Sequence, residues 1–245
     1  MPGIPPQSLI VVTGITGYIA SHVGLAALQA GHRVRGTVRD LKRAQELRNA
    51  YAKQGVDITK LEFIVAWENA TAEDKKKPGW VWIRYAATKI LSEKAAWKWV
   101  EENKPPFDIV TILPNANFGP VLYGGARSTV FWIQSFLKGD NEFTQLVGPQ
   151  WFIDVRDDGR LHIAALTNPS LSGKRIWGVA EPTGWNQILA ILRKNFPDAN
   201  TAPDLVGEPG EPAKQKIENT VATEALGGWI SLEQSLIDTG KSLGF

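Results

Sequence analysis

Tyr85 and Lys89 stand four residues apart, so on a helix they share one face. A lysine ammonium beside a phenol favours the phenolate, which suits a tyrosine to hand a proton to a carbonyl oxygen while a hydride arrives at the carbon. Taken alone, a Tyr-x-x-x-Lys pair is common and most such pairs lie on surfaces. Its weight here comes from a second group of residues near the amino terminus. Thr13-Gly14-Ile15-Thr16-Gly17-Tyr18-Ile19-Ala20 follows the apolar run Ser8–Thr13 and precedes a helical pattern through Ile19, Val23 and Ala27 that ends at Gly31. Gly14 permits a tight turn, Gly17 lets backbone approach a diphosphate, and small Ala20 allows close helix–strand packing. The free N–H groups and positive end of the helix then face the phosphates.

The elements that must position these residues alternate. Short β-branched runs at 8–13, 33–38 and 61–66 read as buried parallel strands, separated by helical stretches at 19–31 and 41–54. The end of the second strand sorts the cofactor. Arg39, Lys42 and Arg43 outnumber Asp40, which favours the 2′-phosphate of NADP over the bare ribose of NAD, with Asp40 as a helix N-cap. Residues 67–84 read as a polar loop containing a solvated "EDKKK". Tyr85–Glu102 reads as a helix and Phe107–Leu113 as another buried strand. Helices are expected over 128–138, from about 156 to 167, over 184–196 and 231–243. Short strands are expected at 152–155 and 174–179.

Bulk properties narrow the function. A net charge of +2 supplies no field for nucleic acid or anionic membrane. The absence of cysteine excludes disulfides, thiolate nucleophiles and Cys-based metal sites. No apolar run reaches the roughly 20 residues of a membrane span, and the start lacks a signal peptide's pattern, so the cytoplasm is the expected compartment. His22, His32 and His162 lack metal-ligand spacing, and Asp158 suits a helix start. No metal is expected. Ten tryptophans suit core filling, with some free to line an apolar pocket.

The segments "VTGITGYIASHV" (12–23), "VRGTVRD" (34–40), "YAATKILSEKAAW" (85–97), "FDIVTILPNANFGPVL" (107–122), "FIDVRD" (152–157) and "SGKRIWGVAEPTGWNQILAILRKNFP" (172–197) occur in one order. In that order they resemble the extended short-chain dehydrogenase/reductases, and in particular fungal aldehyde and ketone reductases similar to dihydroflavonol reductase. The resemblance implies an α/β fold. It would be a Rossmann-type parallel sheet (1–113 and 151–182) with a small, mostly helical substrate-binding lobe (114–150 and 183–245). It implies NADPH-dependent reduction of a small-molecule aldehyde or ketone to an alcohol. Tyr85 would be the proton donor. Lys89 would hold the nicotinamide ribose, and Pro114, Asn115 and Asn117 would border nicotinamide and substrate. The resemblance implies structural roles for Asp154 and Asp157. Asn117 stands where the family has an apolar residue, and Thr88 where it has serine.

One departure is large. After residue 66 the chain passes directly to wording that resembles a later loop of the family. The two central strands, the catalytic serine and the adenine-holding acid have no counterpart, and Thr71 has no motif to recommend it as a substitute. Loss of such a hydrogen-bond donor costs about 10²–10³ in rate. Three readings follow: an impaired reductase, a catalytically inactive nucleotide-binding remnant or splice product, and a sugar-nucleotide epimerase or dehydratase. A closed sheet is the expected response to the omission, with strand 107–113 beside strand 8–13. Oligomeric state is not legible.

Overall fold

The computed structural model describes residues 4–38, 40–65, 80–207 and 210–245. Strands β1 (Leu9–Val12), β2 (Arg33–Val38) and β3 (Leu61–Val65) form a parallel sheet in that order, crossed over by α1 (Tyr18–Gln29) and α2 (Leu41–Lys53). Helix α3 (Trp80–Asn103) bears Tyr85 and begins five residues earlier than its composition suggests. Strand β4 (Thr111–Pro114) and, directly after it, β5 (Ala116–Phe118) follow. Then come α4 (Val130–Leu137), β6 (Gln150–Asp154), α5 (Val155–Thr167), β7 (Arg175–Gly178), β8 (Glu181–Thr183) and α6 (Trp185–Asn195). The chain closes with α7 (Thr220–Leu226) and α8 (Leu232–Ser242). Strand β8 and helix α7 are elements the sequence reading did not foresee.

The expected closed sheet is not formed. Strand β4 pairs in parallel with β7, while β5, β6 and β8 make a third small sheet. Among the described residues β1 pairs with β2 alone. Between β1 and β4 runs a slot of about 440 Å³ lined by Ile10, Val12, Val23, Val110, Ile112 and Leu166. The physical reason lies underneath. Helices α1 and α5 pack directly on one another, and the approach is so close that a Cβ on Gly159 would stand 2.9 Å from the His22 carbonyl. Helix α5 packs on both α1 and β4, so the two parts are joined through helices while β1 and β4 stay unpaired. Val11 is 58% exposed, and Leu9, Ile64 and Trp177 on the strands are exposed as well.

Two main cores hold the chain. One joins β1–β3 to α1 and α2 through Val34, Val38, Leu47 and Tyr51. The other joins β5 and β6 to α4, α6 and α8 through Phe118, Phe136, Phe152, Trp185 and Leu236. Trp185 is fully buried and donates its indole N–H to the Val147 carbonyl, 3.0 Å away, so its polar tip is satisfied inside the core. In contrast α3 is thinly attached. Glu93 binds Arg175 at 2.7 Å and Trp99 stacks on Phe107, yet Ile90, Leu91 and Trp99 remain exposed. Trp99, half exposed, is not one of the tryptophans that fill a core. Among the described residues no helix is long and apolar enough to cross a membrane.

Ile15 is the point where the first core meets the turn. It is fully buried, and a Cβ on Gly36 would come within 2.4 Å of it and one on Gly24 within 2.8 Å. Gly36→Ala should therefore lower stability by about 1–3 kcal/mol through overpacking. A urea unfolding midpoint equal to the parent's would contradict this.

Candidate active site

The turn between β1 and α1 is built by its neighbours. Gly14 adopts φ +60°, a left-handed conformation that glycine alone takes without strain. Its N–H donates to Thr37 Oγ1 at 2.8 Å, and the Ile15 N–H donates to the Thr37 carbonyl at 3.2 Å. The Gly17 N–H returns to the Gly14 carbonyl. Gly17 is the N-cap of α1. No side chain caps it, and the first turn of the helix holds no acid, so its free N–H groups and positive end are left for an anion. Thr13, Gly14 and Gly17 are exposed and Thr16 and Ile19 half-buried. Tyr18 is buried instead, its hydroxyl donating to the Gly119 carbonyl at 2.9 Å, and burial pushes its pKa well up. Its phenol is structural, and only its backbone belongs to the turn.

The cationic group at the end of β2 is partly visible. Arg39 lies outside the described residues, as do Thr71 and the "EDKKK" run. Asp40 caps α2 by accepting the Lys42 N–H at 2.8 Å. Lys42 and Arg43 are exposed, and Arg43 is close enough to Tyr123 to act on its phenol electrostatically.

Tyr85 is 57% exposed and lines a pocket of about 470 Å³ with Pro114, Asn115, Ala116, Ser128, Thr129 and Trp132. Four separate stretches of sequence converge there: α3, the end of β4 with the start of β5, the start of α4, and Gln150 at the start of β6. Lys89 holds its ammonium 5.5 Å from the centre of the Tyr85 ring. Trp132 is one tryptophan that does line a pocket. Asn117 does not line it. It is buried, its side-chain oxygen lacks a partner among the described residues, and its carbonyl accepts from Thr129 Oγ1.

The loop between β5 and α4 carries signals the sequence reading missed. Tyr123 and Arg127 both donate to the Thr16 carbonyl, Arg127 at 3.1 Å. This loop therefore ties the turn to Ser128 and Thr129, which line the Tyr85 pocket. The doublet Gly124-Gly125, both at φ +73°, was the readable sign of a sharp fold there. Three aspartates expected to be structural are fully buried. Asp154 caps α5 and binds Arg156, Asp157 accepts from the Ile230 N–H, and Asp158 lies 3.2 Å from the His162 ring. Among the described residues no group of acids and histidines could hold a metal ion.

The NmrA-like family matches residues 6–64. Ketoreductase adrE of Penicillium roqueforti is 29% identical over 324 aligned positions, which cover 95% of this chain and 96% of that one. Aldehyde reductase 2 of Sporidiobolus salmonicolor is 25% identical and covers 96% of both. The alignments are far longer than this 245-residue chain, so dozens of residues in each relative have no counterpart here. Gre2 from Candida albicans, solved in complex with NADPH, superimposes with a TM-score of 0.78 at 20% identity over 97% of this chain and 98% of that one. At 20% identity the likeness to Gre2 shows the fold, a Rossmann-type α/β arrangement. In sequence the chain is similar to fungal ketoreductases and aldehyde reductases.

His22 ties α1 to the same loop, with its Nε2 donating to the Pro120 carbonyl at 3.0 Å. Burial lowers its pKa from 6.5 to about 4. The folded state holds the imidazole neutral where the unfolded chain would already be protonated. Its stabilising contribution is thus full above pH 6.5 and is lost as pH falls toward 4, by about 3 kcal/mol in total. Urea midpoints measured between pH 7 and 4.5 should fall more steeply for the parent than for His22→Gln, and superimposable profiles would refute the assignment.

Proposed function

We propose that the chain is an NADPH-dependent carbonyl reductase acting on a small aldehyde or ketone, with turnover reduced by what its sheet lacks. The observation that carries this reading is the link from the Gly14–Gly17 turn, through Arg127, to the pocket shared by Tyr85, Pro114 and Asn115. Dinucleotide diphosphate fits the uncapped α1 terminus and its neighbouring cations. When bound, NADPH supplies the hydride. Tyr85 then protonates the carbonyl oxygen from the mouth of the pocket, and Lys89 orients the ribose and the phenol. Pro114, Asn115 and Trp132 present an apolar wall with a few polar atoms, as small-molecule sites do. The ketoreductase and aldehyde-reductase names of the relatives support the same substrate class. Residues 1–113 with 151–182 would bind nucleotide and 114–150 with 183–245 the substrate. The two cores support that division, although Phe152 packs with the second.

The slot between β1 and β4 favours one other reading, a remnant that binds nucleotide without turnover. Likeness to a UDP-glucose 4-epimerase from Bifidobacterium longum, at 14% identity and a TM-score of 0.62, reflects fold alone.

Titration of purified protein with NADPH, followed by carbonyl-dependent loss of its absorbance, separates these readings. Turnover with a panel of aldehydes and aryl ketones, lowered by about 10²–10⁴ in Tyr85→Phe, is the expected result. Binding without turnover identifies the remnant, and no binding defeats the cofactor assignment.

A further inference from the structure

We propose that Arg127 is a diphosphate ligand of the bound dinucleotide, carried on a strap that joins the phosphate turn to the carbonyl pocket. The inference rests on the NADPH reading above and adds a residue to it. The strap runs from Gly119 to Thr129 and is fixed at both ends. Thr239 Oγ1 accepts the Gly119 N–H and Ser242 Oγ accepts the Val121 N–H, at 2.8 and 2.9 Å, and Thr129 bonds to Asn117. Between these anchors the chain folds back on itself. The Arg127 guanidinium lies 4.8 Å from the Tyr123 ring centre and donates to the Tyr123 carbonyl at 3.0 Å and the Thr16 carbonyl at 3.1 Å. A Cβ on Gly124 would stand 2.1 Å from Arg127 Nη2, so this placement requires glycine there.

Two backbone carbonyls use two of the five guanidinium N–H groups, leaving three for a ligand. Among the described residues no carboxylate forms an ion pair with Arg127. The guanidinium is held one residue from Gly17, where α1 presents its free N–H groups. A fixed planar cation at an uncapped helix terminus matches a diphosphate, which accepts from both. Arg43, which also acts on the Tyr123 phenol electrostatically, is assigned to the 2′-phosphate end. Two residues beyond Arg127, Thr129 lines the Tyr85 pocket. Phosphate binding therefore also orders the wall against which substrate sits.

The test compares Arg127→Gln, Arg127→Lys, Tyr123→Phe and the parent by fluorescence titration with NADPH and with adenosine 2′-monophosphate. Arg127→Gln should weaken NADPH about tenfold or more and flatten its salt dependence, while adenosine 2′-monophosphate changes less than about twofold. Arg127→Lys, which keeps the charge but not the fork, should fall between, and it carries the test if Arg127→Gln does not fold. Tyr123→Phe should bind NADPH within about threefold of the parent, because the guanidinium remains. The proposal is overturned if Arg127→Gln binds NADPH as the parent does. It is equally overturned if both ligands weaken together, or if Tyr123→Phe loses as much as Arg127→Gln. A parent that fails to bind NADPH overturns the dinucleotide reading itself.

Discussion

Everything around the phosphate turn depends on one buried side chain. Ile15 sits in the middle of the turn and plugs into the gap between Gly24 of α1 and Gly36 of β2. Because the plug is fully buried, the flanking backbone is pinned from below. Thr37 completes the fixation by receiving the Gly14 and Ile15 N–H groups through its hydroxyl and carbonyl. The glycines at 14 and 17 give the turn its shape, and those at 24 and 36 give it a socket. Helix α1 is thereby aimed, and the direction of its terminus defines where an anion can rest.

From that fixed turn the geometry spreads through the strap. Tyr123 and Arg127 converge on the Thr16 carbonyl, and the next residues open the pocket of Tyr85. The lobe core built on Phe136, Phe152 and Trp185 holds α4 and so the far end of the strap. Helix α3 brings Tyr85 to the pocket, with Lys89 beside it, and among the described residues Glu93 ties it to Arg175 and Thr111.

Much of this was legible in the sequence, for identifiable reasons. Strong local signals located β1, β2, β3, α1, α2, α5, α6 and α8, because burial periodicity and glycine stops act over short distances. The meeting of Tyr85 with Pro114 and Asn115 was readable only through resemblance, since it joins residues nearly thirty positions apart. Sheet pairing was misjudged. Closing β4 onto β1 satisfies backbone groups locally, but the two parts are joined instead through α5, which packs on both α1 and β4, and no periodicity reports such contacts. Tyr18 and Asn117 were expected at the cofactor yet turn inward, because each side chain lies on the packed face of its element. Arg127 carries no local signal in the sequence, and its placement depends on the fold-back at Gly124.

The edge of β1 has a colloidal consequence. Among the described residues this strand pairs with β2 alone and holds Leu9 and Val11 in the open, and a strand edge of that kind is adhesive toward any extended chain it meets. Warming strengthens apolar association, and with a net charge of only +2 there is little mutual repulsion to hold molecules apart. In a concentrated solution the limit on this protein's useful lifetime is therefore set by encounters between neighbours as much as by its own unfolding.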